Sequence, residues 1–223
     1  MMPVQYLKML VADSPALRSA LVSVKGHYAR SPEYVETGAA FDEYYQDVNT
    51  GWAVMNSFAD AGRYGALAEW IRRLAPRGAV LDIGAGNGLL AEALASHDVD
   101  YLGVDIAAQT VAAVQARLGR PNRRFVVGDA TSYVPEHHYP LIIFNDMLYY
   151  LEQPVYHVQR LCAFLEPGGT IIVAMYLHWP QIRLLHDLCS AFDVVEQTFI
   201  HNSAGRSFVH AALKPRAQLA VTR

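Results

Sequence analysis

The sequence predicts an α/β protein. Its core is a mostly parallel, seven-stranded sheet covered on both faces, preceded by an N-terminal helical cap and closed by a C-terminal antiparallel hairpin. Three observations carry this. Short apolar runs alternate with helix-like segments between about residues 62 and 190, and strands separated by helices pair in parallel. Four of the runs end in the same grammar, an acidic, amide or glycine residue just after the apolar stretch: Ile83-Gly84, Val104-Asp105, Gly128-Asp129 and Phe144-Asn145. The last two runs, Val194 to Ile200 and Ser207 to Leu213, are joined only by His201-Asn202-Ser203-Ala204-Gly205-Arg206. So short a link joins antiparallel strands and cannot join parallel ones.

Taken in order, Ser14-Pro15 reads as an N-cap followed by the first position of a helix, with Leu17, Leu21 and Val24 on one face. Residues 26–37 are turn-rich. Between Phe41 and Asp60 lie Tyr44, Tyr45, Trp52 and Phe58 among Asp and Asn. That stretch is too aromatic for a linker, and it reads either as a lid or as the core of the cap. From Gly62, the spacing of Leu67, Trp70, Ile71 and Leu74 predicts a helix that Pro76-Arg77-Gly78 ends. Residues 1–61 are therefore expected to form the cap, 62–214 the core domain and 215–223 a loose tail. Within the core, strands are expected over 79–83, 100–105, 123–128, 140–145, 169–176, 194–200 and 207–213. Helices are expected over 87–96, 107–118, 154–165 and 180–190.

Composition narrows the classes of function. The 223 residues are 52% hydrophobic and 17% charged, as in a compact globular chain rather than a disordered one. A net charge of −3 with no Lys/Arg cluster offers no attraction to nucleic acid. The two cysteines, Cys162 and Cys189, lie in helix-like segments and suit a reducing cytoplasm, not a disulfide framework. Met1 to Ser14 lacks the basic start of a signal peptide, and no apolar stretch approaches 18 residues, so no membrane is expected as a partner. Cysteines and histidines show no metal-ligand spacing. A small molecule is the expected partner, with a homodimer left open as the assembly state.

The chemistry centres on Ala79-Val80-Leu81-Asp82-Ile83-Gly84-Ala85-Gly86-Asn87-Gly88-Leu89-Leu90, a buried strand that breaks into glycines and resumes as a helix. Glycine lets the backbone turn where a Cβ would meet a bound molecule, and the following helix presents free amides to it. A dinucleotide fingerprint would place glycines first, third and sixth, and here the sixth position is Leu89. Asp105 lies 21 residues beyond Gly84, the distance at which such folds set a carboxylate on ribose hydroxyls. One carboxylate accepts both hydrogen bonds of a diol.

The Asp-x-Gly-x-Gly-x-Gly loop from Asp82 to Gly88, the strand ends at Asp105 and Gly128-Asp129-Ala130, the run Tyr139 to Leu151 and the turn Phe164-Leu165-Glu166-Pro167-Gly168-Gly169-Thr170 together resemble class I S-adenosylmethionine-dependent methyltransferases. The resemblance covers roughly residues 62–214. Leu148-Tyr149-Tyr150-Leu151-Glu152 is similar to the nodulation-factor N-methyltransferases and related glycan or natural-product enzymes. The resemblance implies a Rossmann-like sheet and S-adenosylmethionine as cofactor. It implies contacts from Asp82, Gly84, Ala85, Gly86, Asn87, Asp105, Ile106, Asp129, Ala130 and Asn145. Tyr45 of the aromatic segment is a further candidate, as is Arg63, which reads either as a partner of the methionine carboxylate or as an exposed arginine at the start of its helix.

The expected reaction is transfer of a methyl group to an oxygen or nitrogen of a small molecule, a glycan or secondary metabolite. The alternatives are a noncatalytic S-adenosylmethionine-binding module or partner subunit, and a nicotinamide oxidoreductase disfavoured by Leu89 and the terminal hairpin. An alcohol acceptor needs a base, whereas an amine titrating near the working pH does not. His178, after the fifth strand, and Tyr149 are the candidate catalytic residues; one of Tyr149 and Tyr150 is expected in the core and the other at the cleft. His178 reads equally well as a surface residue capping the next helix. His27 is not located by the sequence, and His137 and His138 fall at the wrong edge of the sheet. The absence of an Asn-Pro-Pro-Tyr-like element at Asn145-Asp146-Met147-Leu148 weakens nucleic acid as substrate.

Overall fold

A computed structural model describes residues 4–25, 37–46, 58–75 and 78–216. The chain enters through α1 (Val4–Asp13), α2 (Pro15–Lys25), α3 (Gly38–Gln46) and α4 (Phe58–Leu74). It continues as β1 (Ala79–Ile83), α5 (Leu89–Ala93), β2 (Asp100–Asp105), α6 (Ala108–Leu118), β3 (Arg123–Val127) and β4 (Tyr139–Asn145). The second half holds α7 (Pro154–Leu161), β5 (Leu165–Tyr176), α8 (Trp179–Ala191), β6 (Phe192–His201) and β7 (Ser207–Pro215), with 3-10 turns at Leu148–Tyr150 and Cys162–Phe164.

The seven strands form one sheet in the order β3-β2-β1-β4-β5-β7-β6. β1 to β5 run parallel, while β7 pairs antiparallel with both β5 and β6. Alternation along the strands divides the core in two. Leu81, Ile83, Ile142, Phe144, Ile171 and Val173 face α7 and α8, and Val80, Tyr101, Leu141, Ile143 and Ile172 face α4, α5 and α6. Covered on both faces, the central strands are apolar at nearly every position, which is why their sequences read as unbroken hydrophobic runs.

Several boundaries differ from the sequence expectation. The helix expected over 154–165 stops as an α-helix at Leu161 and tightens into a 3-10 turn. β5 accordingly begins at Leu165, before Pro167-Gly168, where Gly168 has φ 81°. The helix expected over 87–96 is only Leu89–Ala93, because Gly88 at its N-cap is left-handed and turns follow Ala93. α1 was not signalled by the sequence as a separate element. Ser14 does cap α2, accepting the Leu17 amide at 3.3 Å. Leu17, expected on the buried face, is exposed; its neighbour Arg18 is buried instead and donates to the Ala12 carbonyl, which closes the α1–α2 corner. Among the described residues no helix is long and apolar enough to cross a membrane.

Candidate active site

Strand order reverses between β1 and β4, and the carboxyl ends of β1, β2, β3 and β4 open there onto one cleft. Open α/β sheets bind ligands at this position. The cleft encloses about 740 Å³, part of it open to solvent, and is lined by Gly84, Asp105, Ile106, Asp129, Ala130 and Asp146, with Phe41, Tyr45, Met147 and Tyr150 as its apolar wall.

The glycine loop owes its shape to the backbone. Gly84, Gly86 and Gly88 have φ of 78°, 52° and 81°, in the left-handed region that L side chains avoid. A Cβ at Gly84 would lie 2.6 Å from the Met147 Cβ, and one at Gly86 would lie 2.9 Å from the Tyr45 hydroxyl. From sequence alone these glycines are expected to clear the space a ligand needs. In the structure protein atoms occupy the direction of the missing Cβ, so the first demand on the glycines is conformational. The Gly84 and Ala85 amides both donate to the Val104 carbonyl, at 2.8 and 3.0 Å. Ala85 and Asn87 belong to the loop without lining the cleft; the Asn87 carbonyl accepts from Arg117 at 2.5 Å.

Asp105 ends β2 inside the cleft. Its two carboxylate oxygens accept the Gly86 amide at 2.8 Å and the Ala107 amide at 3.0 Å, so it ties the glycine loop to the start of α6. Burial raises its pKa above the ordinary carboxylate value, against the lowering effect of those amides. Asp129 caps its own turn, accepting the Thr131 amide and hydroxyl, each at 2.8 Å. Arg160 of α7 holds this loop from behind by donating to the carbonyls of Ala130 and Tyr133 at 2.8 and 2.7 Å. Nothing in the local sequence signals that clamp, because its partners lie about thirty residues apart.

At the end of β4, Asn145 lies outside the cleft lining and accepts from Arg63 at 3.4 Å, and it is Asp146 that faces the cleft. Asp146 has φ 54°, accepts the Tyr176 amide at 2.7 Å and pairs with Arg63 at 2.5 Å, both side chains being almost wholly buried. Burial alone would lower the Arg63 pKa, but the Asp146 charge holds it above the ordinary value. The guanidinium lies 4.5 Å from the Phe208 ring centroid and 4.1 Å from that of Tyr64. Arg63 therefore lies at the cleft's edge, bound to a cleft-lining acid rather than lining the cleft itself. Behind it, burial and the Arg63 charge push the His210 imidazole down to about 3, which keeps it neutral.

Asp82 departs from expectation. It lies one residue inside the end of β1, on the same face as Val80 and outside the cleft lining, where it is buried and accepts the Tyr101 hydroxyl. Burial pushes its pKa up to about 7.

Of the aromatic candidates, Phe41 and Tyr45 of α3 stack with centroids 6.2 Å apart, and Phe41 meets Tyr150 edge-on at 5.3 Å. The 3-10 turn after β4 sends Tyr149 into the core and Tyr150 to the cleft. Burial, with the Asp146 charge adding to it, lifts the Tyr149 hydroxyl well above its ordinary value, and a group so placed does not serve as a base near neutral pH. His178 is exposed, contacts Tyr176 edge-on at 4.1 Å and occupies the N-cap position of α8 with no side-chain cap bond; it is not among the cleft-lining residues. His27, Trp52 and the Tyr44 side chain lie outside what the structure describes. Phe41, Asp146, Met147 and Arg160 are among the site residues that the sequence alone does not single out, and of the Tyr149–Tyr150 pair it is Tyr150 that faces the cleft. Among the described residues no cluster of His, Cys, Asp or Glu is arranged to hold a metal.

Comparison with known proteins agrees with this geometry. The family model described as a methyltransferase domain matches residues 59–214. An uncharacterised methyltransferase of Mycobacterium bovis is 31% identical over 105 residues, 47% of this chain and 53% of that protein. A trans-aconitate 2-methyltransferase of Methylobacterium radiotolerans is 33% identical over 113 residues, 48% of this chain and 42% of that protein. The chain thus aligns with about half the length of these curated relatives. Among solved structures, the N-methyltransferase NodS from Bradyrhizobium japonicum WM9 in complex with S-adenosyl-L-homocysteine superposes with a TM-score of 0.66 at 18% identity, covering 81% of this chain and 99% of that one. The glycopeptide N-methyltransferase MtfA complexed with S-adenosylmethionine gives 0.56 at 16% identity, covering 68% and 94%. The chain belongs to the methyltransferase-domain family and has the class I S-adenosylmethionine-dependent methyltransferase fold.

Proposed function

We propose that this protein is an S-adenosylmethionine-dependent methyltransferase acting on a nitrogen or oxygen of a small molecule, in the glycan or secondary-metabolite class. One observation carries the reading: the ends of four adjacent parallel strands converge on a single cleft in which acids stand at the ends of β2, β3 and β4 and three aromatic rings form the wall. These residues suit the cofactor. Asp105 retains lone pairs for ribose hydroxyls beside the amides it already accepts, and the loop Gly128 to Thr131 offers an acid and backbone to an amino-purine. Asp146 would receive the methionine ammonium, with Arg63 behind it as the buried countercharge that fixes its carboxylate.

When bound, the cofactor supplies a methyl group on a positively charged sulfur that is already a good leaving group. The work left to the chain is alignment and exclusion of water. Phe41, Tyr45 and Tyr150 exclude water from the cleft, and ring faces attract a sulfonium by roughly 0.5–2 kcal/mol. Of the described lining acids, Asp105 accepts two amides, Asp129 the Thr131 amide and hydroxyl, and Asp146 pairs with Arg63, which favours an amine acceptor that sheds its own proton. Calorimetry with S-adenosylhomocysteine and with NAD, followed by label transfer from methyl-labelled S-adenosylmethionine to a panel of amines and alcohols, tests this. Binding without turnover on any acceptor would favour the noncatalytic module, and preference for NAD would overturn the reading. Asp105→Asn should weaken S-adenosylhomocysteine by roughly 10- to 150-fold in a folded protein, as for a lost hydrogen bond to a charged group.

A further inference from the structure

The first turn of any helix leaves backbone N–H groups without helical partners, and a side chain just before the helix normally accepts them. α6 has Ala107 at that position, which has nothing to offer. The acceptor arrives from another helix instead. Asp42 of α3, 4% exposed, accepts the Gln109 amide at 3.1 Å through one carboxylate oxygen. Through the other it accepts the Thr110 amide at 2.7 Å and the Thr110 hydroxyl at 2.8 Å.

The seating extends along α3. At its start a Cβ on Gly38 would lie 2.3 Å from the Ile106 carbonyl, so only glycine permits that approach of backbone to backbone. At its end Gln46 donates to the Gln109 side chain at 3.4 Å. Phe41 and Tyr45, one residue before and three after Asp42, are the α3 side chains in the cleft wall. On the other side, α6 begins two residues after Ile106, and Asp105 accepts the Ala107 amide. Two carboxylates from different elements therefore share one helix end, whose positive pole favours both.

We propose that Asp42 is a positioning residue for the cofactor: by capping α6 from α3 it holds Phe41 and Tyr45 in place as the wall of the cleft. The inference rests on the cleft being the S-adenosylmethionine site. It assigns Asp42 no contact with the cofactor, only control over the residues that enclose it.

The test separates capping from positioning. Asp42→Ala removes both, and Ala107→Ser supplies a local hydroxyl that reaches the α6 amides as an N-cap serine does. Thermal stability, affinity for S-adenosylhomocysteine by calorimetry, and amide exchange over residues 37–46 are measured on the wild type, Asp42→Ala and Asp42→Ala/Ala107→Ser. The expected result is a lowered melting temperature and about tenfold weaker binding in the single variant. In the double variant the melting temperature recovers, while binding stays weak and exchange over 37–46 stays fast. Affinity that recovers together with stability would overturn the proposal, because Asp42 would then be a helix cap only. Unchanged affinity in Asp42→Ala would overturn it as well. If Asp42→Ala fails to fold, Asp42→Asn, which keeps the oxygen facing Thr110, is expected to show intermediate affinity and exchange, and wild-type values for both would count against the role. A wild type that binds no S-adenosylhomocysteine would instead refute the cofactor assignment, and is told apart by the exchange protection of 37–46 without ligand.

Discussion

Single residues at this site carry demands that their chemical type alone does not reveal. Asp146 combines a left-handed backbone, tolerated better by Asp and Asn than by most residues, with a buried ion pair to Arg63. Asp146→Asn keeps the backbone preference and leaves the guanidinium without its countercharge. Removing one partner of a buried pair costs about 3–5 kcal/mol. Urea denaturation should show a loss of that order, and a change below about 1 kcal/mol would mean that Arg63 finds adequate compensation from its other neighbours. Gly84 makes a second case. With φ 78° and the Met147 Cβ in the way, Gly84→Ala should destabilise the fold by about 2 kcal/mol or more, even without any ligand. The obstacle is a Cβ, which no rotamer change can move. A folded variant of wild-type stability that merely fails to bind would restore the ligand as the reason for this glycine.

Elements at the edge of the site are held by polar contacts that span the chain. Asp60, in the first turn of α4, accepts from Arg206 at 2.8 and 3.2 Å and from Asn202 at 2.5 Å, so the turn of the β6–β7 hairpin is fastened to the helix that carries Arg63 one turn later. The Asp60 side chain is fully buried and that of Arg206 is partly so. Asp60→Ala removes an acceptor that serves three donors and should cost about 2–4 kcal/mol. Exchange protection should be lost first at residues 201–207, ahead of the central strands; uniform loss across the sheet would show that the hairpin does not move independently. Arg160 does the same for the loop after β3, and Asp42 for the start of α6. In each case a side chain on a helix fixes a loop or helix end from another part of the chain, and of these the loop after β3 lines the cleft.

For the molecule as a whole, the buried Asp82 makes stability depend on pH. Its carboxyl has an ordinary value near 3.8 in an unfolded chain and about 7 when buried beside Tyr101. Between those values the folded protein keeps a proton that the unfolded chain releases, so this group's contribution is complete below about pH 4 and is lost as pH rises toward 7 and above. About three pH units correspond to roughly 4 kcal/mol at most. Asp82→Asn, neutral at every pH, should gain stability relative to the wild type as pH rises from 4 to 8. Parallel melting-temperature profiles for the two proteins would show that Asp82 does not titrate in this window.

The order and type of the core elements and the location of the cleft are legible in the chain before it folds. Strand periodicity, the short link before β7 and the acids at strand ends are local signals, and local geometry suffices to produce them. Asp105, Asp129 and the glycine loop were legible for that reason, and the Tyr149–Tyr150 alternation followed from adjacency along a turn. Tertiary structure alone decided what each side chain faces. Asp82 shares a sheet face with Asp105, yet it sits one residue inside the end of β1 and is buried in the core, whereas Asp105 ends β2 and reaches the cleft. Arg63 was legible as a cation near the site, but its partner lies 83 residues away across the sheet. Asp42, Arg160 and Asp60 left no local trace, because each satisfies a backbone or charge that its own segment does not contain. Those long-range contacts exist only once burial has removed water from the groups concerned, so no reading of neighbouring residues can supply them.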